Sequence, residues 1–185
     1  MTPLQLPTLD GDGVRLRAFR SGDAAAVVAA GRDPLIPLIS TVPAGCDEIA
    51  ARAFIERQWG RAETGAGYSF AISRLDGDEA VGQLGVWLRD VDRGRVVVGY
   101  WVTPAARGQG VAARALEVAC AWALSDLGAA RIEVHIEPGN AASLRTAERV
   151  GFRREGLMRD FEEIGGERRD LMMLSLLPSD RADRR

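Results

Sequence analysis

Residues 96–116 read VVVGYWVTPAARGQGVAARAL and join an unbroken apolar run, a loop rich in Gly and Arg, and an Ala-rich run. The apolar run is typical of a buried strand and the Ala-rich run of a helix. The first N–H groups of a helix are unpaired and partly positive, so they suit a phosphate or pyrophosphate. Gly108 and Gly110 let an anion approach the backbone, and Arg107 can add a fork of charge-assisted hydrogen bonds. This layout predicts a site for a phosphorylated cofactor.

The loop fits two phosphate-binding patterns. From Gly108, the residues Gly-Gln-Gly-Val-Ala-Ala satisfy G-x-G-x-x-G/A, the pattern of dinucleotide-binding folds. From Arg107, the residues Arg-Gly-Gln-Gly-Val-Ala satisfy R/Q-x-x-G-x-G/A and resemble the coenzyme A loop of the GNAT acetyltransferase superfamily. A third interpretation is a glycine-rich turn in front of a core helix. The rest of the chain has to decide between them.

The composition limits the classes of protein to which the chain can belong. Its 185 residues are 46% hydrophobic and 27% charged with a net charge of -2, which fits one domain and favours neither disorder nor a nucleic-acid partner. We place a single domain at residues 1–177 and expect a disordered polar tail at residues 178–185. All 24 basic residues are Arg, which excludes a Walker-type phosphate loop and a lysine Schiff base.

The two cysteines, Cys46 and Cys120, are far apart and match no metal-ligand spacing, so no metal site is predicted. With no secretory segment recognised, we expect reduced thiols in a cytoplasmic protein. Cys120 lies in the apolar helix and is expected to be a core thiol instead of a nucleophile. No apolar run approaches the roughly 20 residues that cross a bilayer, so no membrane partner is expected.

Hydrophobic periodicity predicts a mixture of strands and helices. Residues 14–19 alternate like a half-exposed edge strand, and the Pro-rich residues 33–45 predict an irregular loop with short helical turns at most. A helix from Asp47 to about Gly65 is expected to bury Trp59. The further elements are an antiparallel meander at 68–73, 80–88 and 96–102, a helix at 108–127, a strand at 131–137, a helix capped by Asn140, and C-terminal strands from 152 to 177.

This order of elements bears on the dinucleotide pattern. In such folds a parallel strand normally opens the domain and runs directly into the glycines. Here three antiparallel strands come first, and only one strand-helix-strand crossover can be drawn. The acidic residue expected about 20 positions after the glycines, where it would bind a ribose, is Glu133, which falls inside a strand instead of at its end. The context therefore favours the coenzyme A loop.

The resemblance to the GNAT superfamily continues behind the loop. Three short motifs follow, Asn140-x-x-Ser143, Gly151-Phe152 and Glu155-Gly156, in an order similar to the RimJ and RimL branch of ribosomal-protein N-terminal acetyltransferases. The resemblance implies an α/β fold of the α+β type, with a mixed, mostly antiparallel sheet and helices on both faces. It also implies that the sheet is splayed open between the parallel strands 96–102 and 131–137. Acetyl-CoA would lie in this split and donate its acetyl group directly to a primary amine.

The same resemblance assigns residues to the cofactor. The pyrophosphate would bind the backbone N–H groups of Arg107, Gly108, Gln109, Gly110, Val111 and Ala112, with the Arg107 side chain as support. The backbone of Tyr100, Trp101 and Val102 would pair with the pantetheine arm and polarise the thioester carbonyl, while the side chains of Tyr100 and Trp101 can simply fill the core. Asn140 would bind the cofactor arm and Ser143 would protonate the departing thiolate; alternatively, both residues only serve the start of their helix.

The candidate general base is Glu133, because its strand borders the substrate side of the expected split. His135, two residues on, shares that face and is a second candidate. Either residue can instead have a purely structural role. An α-amine, with a pKa of about 7.7 to 8.0, needs only a modest base, unlike a lysine at about 10.4.

The acceptor is the most open part of the interpretation. A protein or peptide N-terminus is predicted first, and the alternatives are a small amine such as an amino sugar, polyamine or antibiotic, a longer acyl donor such as succinyl-CoA, or a non-catalytic acyl-CoA-binding protein. Four acidic residues near the presumed entrance could attract a cation, namely Asp90, Asp92, Glu162 and Glu163. The oligomeric state is open as well, a homodimer included.

Overall fold

The computed structural model describes residues 4–182 of the chain. The strands are β1 (Leu9–Gly11), β2 (Val14–Arg17), β3 (Gly67–Arg74), β4 (Ala80–Trp87), β5 (Arg95–Val102), β6 (Arg131–Ile136), β7 (Arg153–Ile164) and β8 (Glu167–Leu176). The helices are α1 (Ala24–Gly31), α2 (Ile36–Ile39), α3 (Glu48–Glu63), α4 (Val111–Ser125), α5 (Ala141–Val150) and α6 (Pro178–Ala182). All eight strands form one sheet in the order β1-β2-β3-β4-β5-β6-β8-β7.

The sheet is mixed and partly split. Strands β5 and β6 run parallel, joined through α4, and the other neighbouring strands run antiparallel. The parallel pairing is short, because only residues 95–97 pair with residues 131–133. Beyond these residues, β5 pairs with β4 and β6 pairs with β8, so the sheet opens between the C-terminal halves of β5 and β6. This open mixed sheet confirms the predicted fold class.

Helices α4 and α5 cover one face of the sheet, which we call the α4/α5 face. Leu116 and Ala119 of α4 are fully buried and pack in one apolar cluster with Val96 and Val98 of β5. Because α4 is apolar on this side, burial against the sheet is its main source of stability. Among residues 4–182, no helix combines the length and the apolarity that a membrane crossing needs.

Helices α1 and α3 cover the opposite face, which we call the α1/α3 face. Phe54 and Ile55 of α3 are buried there with Trp101 of β5. Side chains alternate between the two faces along a strand. In β6 the apolar side chains therefore belong to the α4/α5 face, while Glu133 and His135 belong to the α1/α3 face.

The N-terminal edge of the sheet differs from the prediction. Strand β1 pairs with β2, so β2 lies inside the sheet and the prediction of an edge strand is wrong. The charge of Arg17 is accommodated because its guanidinium contacts the carboxylates of Asp23 and Asp78 at 2.8 and 3.0 Å. The polar residue Arg17 in this alternating pattern therefore belongs to a buried ion pair and does not face solvent.

Two further expectations are wrong. Trp59 is 41% exposed instead of buried, because its Nε1 donates to the Phe19 carbonyl at 2.8 Å and keeps the ring at the surface. Residues 178–182 form α6 instead of a disordered tail, since Asp180 accepts from the Leu177 N–H at 2.9 Å and contacts Arg153 at 2.8 Å. The remainder of the expected tail, residues 183–185, lies outside the described residues.

Candidate active site

The split leaves one edge of β5 without a neighbouring strand beyond Val97. Just after β5, the Thr103 N–H donates to the Val81 carbonyl at 2.8 Å, on the β4 side. Backbone groups alternate between the two edges of a strand. The backbone groups of Tyr100 and Val102 therefore face the split, whereas those of Trp101 face β4. Of the three predicted backbone sites, the structure places two at the opening.

The Trp101 side chain is held in a buried polar network on the α1/α3 face. Its Nε1 donates to Gln83 Oε1 at 2.7 Å. Gln83 Nε2 in turn donates to Ser69 Oγ at 2.7 Å and to Gln58 Oε1 at 3.0 Å. All four side chains are buried, and buried polar atoms need such partners. The network fixes the end of β5, so the Trp101 side chain fills the core and carries a polar anchor.

The loop between β5 and α4 forms a backbone cradle. Gly108 and Gly110 have φ angles of +74° and +72°, in the left-handed region that favours glycine. The Arg114 N–H donates to the Gly110 carbonyl at 3.1 Å, so the N–H groups that precede it lie at the open end of α4. A Cβ on Gly108 would meet no atom within 4 Å. An anion therefore has room to approach these N–H groups.

The other residues of the cradle contribute through their backbone. The Gln109 side chain braces the loop, since its amide donates to the Ala105 carbonyl at 2.8 Å and accepts from Arg74. Val111 is only 1% exposed and anchors the first turn of α4 in the core. Ala112 is partly exposed and has no polar side-chain group. The N–H groups are what these residues can offer a ligand.

The Arg107 side chain does not point freely at the cradle. Its guanidinium contacts the Asp33 carboxylate at 2.8 Å, and the Asp33 side chain is only 3% exposed. Asp33 also accepts from the N–H groups of Leu35 and Ile36 at 2.9 and 3.0 Å, ahead of α2. Burial alone would raise the pKa of Asp33, but these hydrogen bonds and the charge of Arg107 hold it below its ordinary value. Arg107 thus ties the cradle to the α2 loop, where the sequence predicted support for an anion.

Arg114 is a site residue that the sequence reasoning missed. Its Nε is buried and has no hydrogen-bond partner among residues 4–182. Its Nη1 lies 3.2 Å from where a Cβ on Gly110 would be, so the guanidinium rests on the loop. The signal was available, because a residue four positions after the N-cap Gly110 lies above it on the same helix face. An orphaned cationic donor beside an open helix end fits a phosphorylated ligand.

The start of α5 brings Ser143 and Tyr100 together. Asn140 is the N-cap of α5, and its Oδ1 accepts from the Ser143 N–H at 3.1 Å. Tyr100 reaches across from β5, and its hydroxyl donates to the Ser143 carbonyl at 3.2 Å. Burial raises the pKa of Tyr100 to about 12, although hydrogen bonding with Ser143 and Thr146 opposes this rise. The Tyr100 hydroxyl therefore lies against the backbone of Ser143 beside the split, and both residues are on the α4/α5 face.

Glu133 lies where the split begins, on the opposite face. It is opposite Val97 in the last parallel pair of β5 and β6. Its Oε1 accepts from Arg131 Nε at 2.6 Å, and its Oε2 lies 3.6 Å from His135 Nε2. The side chain is 16% exposed. A partly desolvated carboxylate, already paired with a cation, thus stands at the opening.

Arg131 connects Glu133 to the C-terminal hairpin. Its guanidinium also contacts the Glu155 carboxylate at 2.7 and 2.5 Å, and Glu155 accepts from the Ser175 hydroxyl at 2.5 Å. The hydrogen bonds from Arg131 and Ser175 lower the pKa of Glu155 to about 2. In turn, hydrogen bonds with the carboxylates of Glu155 and Glu133 raise the pKa of Arg131. Because Arg131 is held by Glu155, it fixes the orientation of the Glu133 carboxylate.

His135 shares the face of Glu133. Its Nε2 is buried without a hydrogen-bond partner among the described residues, and its ring meets that of Phe161 edge-on with centroids 5.3 Å apart. A buried imidazole nitrogen in this state can accept a ligand donor or a water molecule. The structure therefore brings both predicted base candidates to one place.

The predicted groups thus divide between the two faces of the sheet. Ser143, with Tyr100 beside it, lies on the α4/α5 face together with the cradle, and Glu133 and His135 lie on the α1/α3 face. The split is an opening through which groups on both faces can act on the same atoms. This arrangement can donate a proton on one side and accept one on the other.

The remaining candidate chemistries find little support in the described residues. Cys46 and Cys120 are both buried and unpaired, and burial raises the pKa of each thiol. The expectation that Cys120 is a core thiol is confirmed. In the part of the chain that the structure describes, no group of three or more His, Cys, Asp or Glu side chains could hold a metal ion.

Comparison with known proteins gives a family match over most of the chain. Residues 14–153 match the model of the acetyltransferase (GNAT) domain. The chain is 28% identical to the uncharacterised N-acetyltransferase p20 of Bacillus licheniformis over 172 residues, which cover 93% of this chain and 97% of that protein.

Solved structures show the same fold. RimJ of Mycobacterium smegmatis, in complex with CoA-disulfide, superimposes with a TM-score of 0.75 at 26% identity, over 97% of this chain and 90% of that one. The ribosomal-protein-S5-alanine acetyltransferase of Vibrio fischeri superimposes with a TM-score of 0.73 at 18% identity, over 94% and 98% of the two chains. Because the Vibrio fischeri protein is only 18% identical to this chain, its likeness concerns the fold alone.

Proposed function

The chain belongs to the acetyltransferase (GNAT) domain family, and from this premise we propose that it transfers the acetyl group of acetyl-CoA directly to the N-terminal α-amine of a protein or peptide. The observation that carries the proposal is the split itself, with Tyr100 and Ser143 on one face of the sheet and the Glu133 carboxylate on the other. Two structural neighbours support the choice of acceptor, because their names are those of a ribosomal-protein-S5-alanine acetyltransferase and a ribosomal L7/L12 α-N-protein acetyltransferase.

The cradle would hold the pyrophosphate of the donor. The N–H groups of residues 107–112 supply the donors, and Arg114 supplies a positive charge whose Nε has no other partner among residues 4–182. The backbone of Tyr100 and Val102 would pair with the pantetheine arm along the open edge of β5, and one of their N–H groups would polarise the thioester carbonyl. Asn140, beside the split, would contact the same arm.

Acetyl-CoA, when bound, supplies a thioester whose carbonyl carbon forms a bond to the amine nitrogen while the carbon–sulfur bond breaks. An α-amine is roughly a tenth to a sixth neutral at pH 7, so the acceptor needs only a modest base. Glu133 would accept its proton, directly or through water held near His135. Arg131 fixes the Glu133 carboxylate at the opening through a hydrogen bond of 2.6 Å.

On the other face, Ser143 would give its hydroxyl proton to the departing sulfur and take up the proton that the acceptor nitrogen loses as its bond to the carbonyl carbon forms. A thiol has a pKa of about 8.5, so a weak donor is sufficient. Tyr100 holds the carbonyl of Ser143 and, because its pKa is raised to about 12, stays protonated at neutral pH. Ser143→Ala should lower kcat by about tenfold, with little change in the Kd of acetyl-CoA.

An acceptor panel tests the proposal. Free-thiol release is followed with acetyl-CoA and four classes of acceptor: peptides with a free N-terminus, N-blocked peptides that contain lysine, polyamines and amino sugars. The proposal expects release only with the free α-amines. If only a small amine is turned over, the proposed peptide acceptor is wrong and the small amine is the acceptor. If acetyl-CoA binds but no amine is turned over, the chain is a non-catalytic acyl-CoA-binding protein. Calorimetry with acetyl-CoA, succinyl-CoA and NAD shows which of these three ligands the chain binds most tightly.

A further inference from the structure

An aromatic side chain lies beside the candidate base on the α1/α3 face. Trp87, Val97 and Glu133 are opposite one another in β4, β5 and β6, so they form one row across the sheet. The Trp87 ring lies over Gly85 and Gly99, where added Cβ atoms would come within 2.7 and 3.0 Å of it. Glycine at these two positions leaves room for the ring in this orientation. Trp87 is still 37% exposed and so offers a surface to a ligand.

Arg61 of α3 stands over this ring, and Arg57 lies one helical turn before it. The Arg61 guanidinium lies 5.8 Å from the centre of the Trp87 ring, a cation–π distance, and donates to the Thr41 hydroxyl at 3.4 Å. Arg57, one helical turn earlier, lies over the Phe54 ring at 5.8 Å. Burial lowers the pKa of Arg61, and the neighbouring charge of Arg57 lowers it further. Two like charges thus share one side of the opening.

These two charges lack an anionic partner in the part of the chain that the structure describes. Among residues 4–182, no carboxylate lies within 4 Å of either guanidinium. By contrast, Arg52 on the same helix is paired with Glu48 at 2.6 Å. Arg61 is partly desolvated and has the like charge of Arg57 one turn away, so an anion beside it is electrostatically favourable. An acidic ligand that enters the α1/α3 face would supply this anion.

We infer that Arg61, supported by Arg57 and Trp87, binds an acidic side chain of the acceptor, so that the preferred acceptors are peptides with Asp or Glu at the second or third position. This inference rests on the proposed function, because it places the acceptor amine at Glu133. The acceptor inferred here is acidic. By contrast, the four acidic residues near the presumed entrance suggested a cationic acceptor, namely Asp90, Asp92, Glu162 and Glu163.

The sheet geometry sets the spacing between amine and acid. Neighbouring strands lie about 4.8 Å apart, so β4 and β6 are separated by about 10 Å. Each residue of an extended peptide adds about 3.3 Å. With its α-amine beside Glu133, an extended peptide therefore brings the side chain of its second or third residue to the Arg61 guanidinium. An acid further along the peptide would pass beyond it.

Paired peptides test the inference on the full-length protein. The peptides Ser-Glu-Ala-Ala-Tyr and Ser-Ala-Glu-Ala-Tyr are compared with versions in which Gln replaces Glu, by kcat/KM for thiol release. We expect the acidic peptides to exceed their amide versions by about fivefold. The ratio should fall in high salt, since exposed charges are screened.

Matched variants identify the groups responsible. Arg61→Gln should bring the ratio of acidic to amide peptide close to one, and Arg61→Lys should retain part of it. Arg52→Gln, on the same helix but already paired with Glu48, should leave the ratio unchanged. Calorimetry with acetyl-CoA checks that the cradle and the fold of each variant are intact.

The outcomes separate this inference from the proposed function. If amide and acidic peptides react equally in the parent protein, or if Arg61→Gln keeps the full preference, the inference is wrong while α-amine acetylation stands. If no peptide with a free α-amine releases thiol, both are wrong.

Discussion

The two faces of the split are built in different ways. On the α4/α5 face, the cradle and the open edge of β5 come from one continuous run, residues 96–116, and act mainly through backbone groups. On the α1/α3 face, Arg61, Trp87 and Glu133 come from three distant segments and act through side chains. The first kind of site depends on local sequence, whereas the second depends on which strands become neighbours. Cofactor recognition is therefore the easier part to predict, and acceptor recognition the harder.

The largest effect is expected from Glu133→Gln on the α1/α3 face. Loss of the general base should lower kcat by about 100-fold. The Kd of acetyl-CoA should stay within about twofold, because the cradle lies on the other face. Thiol-release assays at a series of pH values measure kcat, and calorimetry measures the Kd of acetyl-CoA. Retention of more than half of kcat would remove Glu133 from the mechanism.

On the α4/α5 face, Gly110→Ala should raise the Kd of acetyl-CoA at least about tenfold. A left-handed Ala costs about 1–2 kcal/mol, and its Cβ would come within 3.2 Å of Arg114 Nη1. Gly13→Ala is the matched control, because Gly13 has φ +69° with nothing within 4 Å of the added Cβ. Equal Kd values for the two variants, measured by calorimetry, would contradict the cradle assignment.

Arg107→Gln tests whether the two regions are independent. The Arg107 side chain contacts Asp33 ahead of α2, and Leu38 of α2 lies 3.5 Å from where a Cβ on Gly165 would be, at the turn between β7 and β8. We expect a loss of about 1 kcal/mol in the free energy of unfolding and a KM for the acceptor raised by a few-fold. An effect on the Kd of acetyl-CoA alone would show that the Arg107 side chain serves the donor instead.

The smallest effect concerns the pH dependence of stability. Hydrogen bonds from Arg131 and Ser175 lower the pKa of Glu155 from 4.5 to about 2 in the folded protein. Their contribution is complete above pH 4.5 and is lost as the pH falls toward 2. The difference in unfolding free energy between the parent protein and Glu155→Gln should therefore shrink across this window. A constant difference in urea titrations from pH 6 to pH 3 would contradict the pairing.

The parts of the fold that the sequence predicts are those with local causes. The run at 96–102, the glycine loop and the helix capped by Asn140 each carry their own signals, and the structure has β5, α4 and α5 there. The alternation in β6 also places Glu133 and His135 on one face, as expected. The parallel pairing of β5 with β6 follows from the single crossover through α4.

The parts that could not be predicted depend on distant partners. Strand β1 has three residues, too few for a periodic signal, and without it β2 resembles an edge strand. The Arg107 guanidinium is engaged by Asp33, 74 positions earlier by number, an ion pair that no local pattern encodes. Arg61 and Trp87 meet because α3 packs against β3, the neighbour of β4, so neither residue was recognised from the sequence.

The proposed function requires an α-amine to reach the split on the face opposite the cradle. The site of modification in one peptide, Ser-Glu-Ala-Lys-Tyr, checks this requirement, because the peptide offers both an α-amine and a lysine. Fragment mass spectrometry after incubation with acetyl-CoA should find the acetyl group on the α-nitrogen, and an N-formylated version should release no thiol. Acetylation confined to the lysine, with equal thiol release from the formylated peptide, would contradict the account.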